Sequence, residues 1–208
     1  MERPPIYSLM ETSVIGELSI DTEVKEQILC DDCGMTGFRP ELEGIIFHLD
    51  YWSGEDLMEA HLFRYAATKR LKDEIQAKLK GVFFETLNIS KGEEFEIYTE
   101  DHKELPSLYH LKINNVVRGN EIWYKKTPCD NCSKVKWLVT EAGNQAGTVF
   151  PFDDHSDILE REVYFDSWNG EDIFYLDQPG VPIITQHFLD LIQQYNLSNL
   201  FVLPAKWV

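Results

Sequence analysis

The chain has four cysteines, and they fall in two pairs: Cys30-Asp31-Asp32-Cys33-Gly34 and Cys129-Asp130-Asn131-Cys132-Ser133. Two intervening residues let a tight turn aim both sulfurs at one point. Two such turns complete a tetrahedral shell of four thiolates, each about 2.3 Å from the metal, which is the arrangement zinc takes in structural sites. Gly34 gives the first turn backbone freedom, and Pro128 stiffens entry to the second. A shell closed by Cys30, Cys33, Cys129 and Cys132 leaves no position for water or substrate. The expected ion is therefore structural zinc, with iron in the same shell as the variant. The long separation of Cys33 from Cys129 sets the pairs apart from a self-contained zinc ribbon, so the ion would staple distant segments.

Three other uses of the pairs compete. Disulfides need an oxidising compartment. The opening Met-Glu-Arg-Pro-Pro lacks the basic-then-apolar order of a secretion signal, so a cytoplasmic location is expected. Thioredoxin-type chemistry needs a thiolate favoured by positive charge. Asp31, Asp32 and Asp130 oppose that unless a cation is present, and Lys134 and Lys136 soften it only for the second pair. Plain buried thiols, the third alternative, rarely come as two matched pairs.

Other chemistry is harder to find. The six histidines form no His-Glu-x-x-His array, and no Gly-x-Ser-x-Gly elbow or phosphate-cradling glycine loop occurs. Asp153-Asp154-His155-x-Asp157 can be drawn as a metal or acid–base cluster, but on an acidic loop such a cluster reads more simply as solvated. Asp101-His102 is no stronger. Nothing in these residues demands catalysis, and a non-enzyme is expected.

The elements that must position the cysteines show a repeat. Leu49-Asp50-Tyr51-Trp52-Ser53-Gly54-Glu55-Asp56-Leu57 reads like Phe165-Asp166-Ser167-Trp168-Asn169-Gly170-Glu171-Asp172-Ile173, 116 residues later. One residue of slip beyond, Thr68 aligns with Thr185 and Ile75 with Ile192. Phe83 then aligns with Leu200 and Phe84 with Phe201. Gly44–Trp52 and Glu160–Trp168 are expected as strands, followed by a glycine turn in which Asp56 or Asp172 acts as a local cap. Thr68 and Thr185 are candidate caps for two helices. Leu71, Ile75 and Leu79 stripe one helix, and Phe188, Leu191, Ile192 and Tyr195 stripe the other. Val82–Leu87 and Leu200–Leu203 follow as strands. Phe95–Thr99, Leu108–Asn114, Ile122–Lys126 and Leu138–Thr140 read as further strands, and Glu141–Phe152 as a loop. The expected fold is α+β: short-strand sheets with few helices, an internally duplicated strand–turn–helix–strand unit, and a four-cysteine zinc staple. Residues 1–90 and 91–208 would be its halves, each with one cysteine pair, in one compact unit.

With 208 residues, 43% of them apolar, the chain can bury a substantial core, and no run approaches the length of a membrane helix. A formal charge of −17 repels phosphate and anionic lipid, which argues against nucleic-acid and membrane partners. It would instead steer a basic protein partner. Between residues 151 and 180 nine acids face Arg161 alone. Of these, Asp153, Asp154, Asp157, Glu160, Glu162, Glu171 and Asp172 are the candidate partner-binding residues. Glu93 to Glu104 is a second acidic stretch.

The two cysteine knuckles and the repeated aromatic–acidic segments resemble the double-CXXCG motif proteins of bacteria. Cys30 to Gly34 fits the family pattern fully. Asp172-Ile173-Phe174, Thr185, Phe188 and the closing Leu197-x-Asn199-x-Phe201-x-x-Pro204 are similar to the family's Asp-Leu-Phe, Ser-led helix and Gly-x-x-Phe-x-Pro ending. Ser133 departs, standing where the family has glycine. The resemblance implies a zinc-binding immunity protein, a stoichiometric inhibitor of a cognate toxin, with no catalytic residues of its own. An acidic zinc-binding adaptor of a bacterial complex is the alternative, and a metal-dependent hydrolase or redox enzyme a further one.

Overall fold

The computed structural model describes residues 2–11, 16–20, 27–32, 35–37, 46–60, 63–95, 104–132, 135–143, 160–178, 181–195 and 200–208. In chain order the first strands are β1 (Ile6–Glu11), β2 (Gly16–Ile20), β3 (Gln27–Cys30), β4 (Met35–Gly37), β5 (Ile46–Trp52), β6 (Leu57–Ala60) and β7 (Phe63–Thr68). Helix α1 (Lys69–Lys78) follows, then β8 (Val82–Thr86), β9 (Asn88–Lys91), β10 (Leu108–Ile113) and β11 (Val116–Val117). The chain continues through β12 (Tyr124–Pro128), β13 (Val135–Val139), β14 (Arg161–Val163), a 3-10 turn (Phe165–Ser167), β15 (Ile173–Leu176) and β16 (Ile183–Thr185). Helix α2 (Gln186–Gln193) and β17 (Leu200–Trp207) close it. The result is α+β, with many short strands and few helices. No helix among the described residues is long and apolar enough to cross a membrane.

Two sheets carry the molecule. One has the order β11-β15-β16-β1-β17-β14, the other β6-β7-β10-β8. A three-stranded sheet, β2-β5-β9, and two hairpins, β3-β4 and β12-β13, complete the set. Successive strand residues point to opposite faces, and the cores follow that alternation. Leu57 of β6 and Ile173 of β15 enter a central core with Leu71 and Ile75 of α1 and Phe188, Leu191 and Ile192 of α2. Their neighbours point away: Met58 joins an outer core with Phe47 and Leu49, and Phe174 joins another with Val163 and Ile183. Trp168 and Trp207 seal the latter, their ring centroids 5.2 Å apart.

The same turn occurs twice, down to its hydrogen bonds. Trp52 Nε1 donates to the Glu55 carbonyl at 2.8 Å, and Trp168 Nε1 to the Glu171 carbonyl at 2.9 Å. Gly54 and Gly170 both have φ of 92°, a left-handed conformation in which a side chain would be strained. The following aspartates are buried, at 6% and 8% exposure. Thr68 Oγ1 donates to Asp56 Oδ1, and Thr185 Oγ1 donates to Asp172 Oδ1. Backbone N–H groups of the same threonines donate to the aspartate carbonyls, at 2.8 and 3.0 Å. Each aspartate thereby ties a turn to the start of a helix. The remaining contacts differ: Arg70 pairs with Asp56, whereas the Lys80 N–H and His187 meet Asp172.

Several expected elements take a different form. The strand from Glu160 stops at Val163, because the chain coils where Trp168 N–H donates to the Phe165 carbonyl and Ser167 Oγ to that of Tyr164. Thr68 and Thr185 both occupy N-cap positions, but only the Thr185 side chain accepts a helix N–H. Leu79 lies just past α1 as its buried C-cap. Phe95 is buried at a helical position just past the turn that follows β9, and residues 96–99 lie outside the described residues. The ungapped match of Phe83 to Leu200 also slips. Phe83 is 54% exposed while Val82 and Phe84 pack on the central core, as Leu200 and Val202 do. A one-residue shift inverts strand faces, so the inward residues correspond as Val82 to Leu200 and Phe84 to Val202.

Two measurements check these joints. Thr185→Val removes one donor to a buried carboxylate and one helix cap, so it should cost about 1–3 kcal/mol in urea unfolding with an unchanged slope; an unchanged midpoint would show that the joint is idle. On β10, burial pushes the His110 imidazole below its usual value; Glu85 partly opposes this and Lys112 adds to it. The unfolded chain then takes up a proton that the folded chain resists. Stability should therefore fall as pH drops below the ordinary histidine value of about 6.5. His110→Gln should flatten that part of the profile.

Candidate metal centre

Cys30, Cys129 and Cys132 sit at the tips of hairpins. Cys30 ends β3 and pairs with Met35 across a bulge. Cys129 follows β12, where Pro128 pairs with Val135 of β13, and Cys132 lies in the turn beyond. A two-stranded hairpin is marginal on its own. Tips of this kind need anchoring from outside, and here they meet each other.

Cys30, Cys129 and Cys132 place their ligand atoms within 4.8 Å of one another. Cys30 Sγ and Cys129 Sγ are 4.0 Å apart. That is about twice a disulfide bond. It is close to the edge of a thiolate tetrahedron around one ion, about 3.8 Å for metal–sulfur bonds of 2.3 Å. The donor set thus fits a metal ion. Cys33, the fourth expected ligand, lies outside the described residues. All three sulfur-bearing residues are partly buried. Asp31, Asp32 and Asp130 are exposed around them, a field that favours a cation between the sulfurs. Asn131 Nδ2 donates to Asp32 Oδ2 at 2.6 Å, joining the hairpins beside the cysteines. Nothing in the sequence signals that bond except that the two residues lie in the two Cys-x-x-Cys turns.

The acidic candidates divide. Glu160 is exposed. Glu162 pairs with Lys206 at 2.9 Å and accepts from Asn120; the Lys206 ammonium holds its carboxyl below the usual range, with Asn120 contributing and burial opposing. Glu171 accepts the Asn169 N–H at 3.2 Å within its own turn. Asp172 is buried, and Thr185, Lys80 and His187 occupy its oxygens, all from outside its own turn, so where a local cap was expected it joins the turn to distant segments. Asp153, Asp154 and Asp157 lie outside the described residues, as do His102 and His155. In the second acidic stretch Glu93, Glu94 and Glu104 are exposed.

Metal content is the direct check. Native mass spectrometry of protein purified without chelator should show one ion per chain. Cys30→Ser and Cys129→Ser should each lose it and lower the melting temperature. A metal-free wild-type protein that melts no lower with chelator present would rule the centre out.

Comparison with protein-family models, with curated proteins and with solved structures finds no match to this chain.

Proposed function

We infer that the chain is a zinc-stapled immunity protein of the double-CXXCG type, which neutralises a cognate bacterial toxin by stoichiometric binding. The observation that carries the reading is the convergence of Cys30, Cys129 and Cys132 from distant parts of the chain. A closed zinc shell of these three with Cys33 would supply rigidity and no reaction. Apparent zinc binding in cysteine-rich sites reaches about 10 kcal/mol or more, enough to hold distant segments in one arrangement. An inhibitor needs that rigidity, because ordering a loose surface on binding subtracts from affinity. The twice-used strand–turn–helix–strand segment we read as an internal duplication.

The charge supports a basic target. At −17 the chain steers cationic surfaces toward itself. A toxin that cleaves nucleic acid has a basic cleft, which an acidic protein can occupy in place of phosphate. Asp153, Asp154, Asp157 and Glu160 are the acids we assign to that contact. They belong to the longer of the two acidic stretches of the sequence, and Glu162, Glu171 and Asp172 beyond them are tied within the fold.

Co-expression with a toxin domain encoded by a neighbouring open reading frame should restore growth. Joint reversal of Asp153, Asp154, Asp157 and Glu160 to Lys should weaken binding about tenfold or more and alter its salt dependence. Unchanged affinity would remove this surface from the proposal. A neighbourhood of assembly genes without rescue would favour the adaptor instead.

A further inference from the structure

We propose that residues 6–95 and 108–207 are two copies of one unit that have exchanged their first strands about an approximate two-fold axis through the cysteine cluster. The pairing of the two main sheets carries this. In one, β10 runs antiparallel between β7 and β8, with Leu108 opposite Thr68 and Leu111 opposite Phe84. In the other, β1 runs antiparallel between β16 and β17, with Ile6 opposite Thr185 and Leu9 opposite Val202. Thr68 and Thr185 hold the same place in the repeated joint, so Leu108 and Ile6 correspond, as do Leu111 and Leu9. Yet β1 opens the first unit and completes the sheet of the second. β10 opens the second and completes the sheet of the first.

The flanking strands obey the same correspondence. Phe47 of β5 pairs in parallel with Ile89 and antiparallel with Ile20. Val163 of β14 pairs in parallel with Trp207 and antiparallel with Gly119. The outer cores repeat it once more. Leu108 joins Phe47, Met58 and Ala66 in one, and Ile6 joins Val163, Phe174 and Ile183 in the other. Each outer core is therefore sealed by a side chain from the opposite unit.

The cysteine hairpins locate the axis. Cys30 meets Cys129, and Asp32 meets Asn131, both pairs 99 residues apart. A residue touches its own counterpart only where a two-fold passes between them. Cys30 of one unit thus meets Cys129 and Cys132 of the other at the axis, and a metal bound there would join the units as well as the hairpins. The central core lies between the units in the same way, taking α1 from one and α2 from the other. This interlock extends the duplication read above and rests on it, but it stands on strand pairing and core membership and needs neither the metal nor the toxin.

Hydrogen exchange followed by mass spectrometry on the full chain tests it with Ile6→Ala and Leu108→Ala. Ile6→Ala should speed exchange about tenfold or more at residues 161–163, 173–176 and 183–185 while 46–52 and 63–68 keep their protection. Leu108→Ala should do the reverse. If Ile6→Ala loosens 46–52 and 63–68, or loosens both outer cores equally, the exchange is wrong. Should either alanine variant fail to fold, Ile6→Val and Leu108→Val give the same reading with smaller cavities. Metal content measured in parallel keeps this outcome separate from that of the zinc reading.

Discussion

The fold depends on β1 having hydrogen-bond partners on both edges. A buried strand must satisfy every backbone N–H and C=O, and an interior strand can do so only with neighbours on either side. Ile6 to Glu11 finds its full-length neighbour in β17, and residues 6–8 find a second in β16. The same six residues place Leu9 in the central core and Ile6 in an outer one. Without β1, β16 and β17 would become open edges and α2 would lose part of its floor. The short strands around it could not compensate, since few residues of each contribute to a ladder.

Electrostatics sets a second constraint, at the cysteine hairpins. Cys30, Cys129 and Cys132 meet there in a cluster that could hold a metal ion, and exposed Asp31, Asp32 and Asp130 add negative charge around it. Such crowding is tolerable when the ion is in place and the carboxylates stay in water, as these exposed residues do. The Asn131 amide softens it further by donating to Asp32. Elsewhere the chain handles its acids by pairing: Asp166 accepts both bonds from the Arg118 guanidinium, at 2.7 and 2.8 Å, and Glu85 meets Lys112. Buried Asp56 and Asp172 are held by hydroxyls and backbone. A sequence rich in carboxylates thus uses them as joints as well as surface.

Much of this was legible in the sequence where a residue type has one physical use. The spacing of Cys129 and Cys132, the glycine in the Trp-x-Gly-Glu-Asp turn and the helix-start Thr185 each point to a local geometry, and those geometries occur. The four-residue apolar stripes marked both helices, whose buried faces they are. Long-range relations were not legible. Nothing in Ile6–Glu11 says that its neighbours lie at the far end of the chain, because a strand's sequence does not name its partner. The burial of Asp172 is hidden by its place in an acidic run, since charge counts ignore hydrogen bonds. Strands as short as β14 and β16 carry too few residues to show alternation. The one-residue slip between Phe84 and Val202 needed strand pairing to be seen.

The placement of β1 bears on synthesis. This segment is translated well before either of its neighbours, which lie between Ile183 and Trp207. A nascent chain must therefore carry this strand without its partners until the segment from Ile183 to Trp207 has been made, and its sheet can zip up only then. Such non-local closure is slow and exposes the strand to misassociation in the interval. A chain cut short before Ile183 would leave β1 without either neighbour.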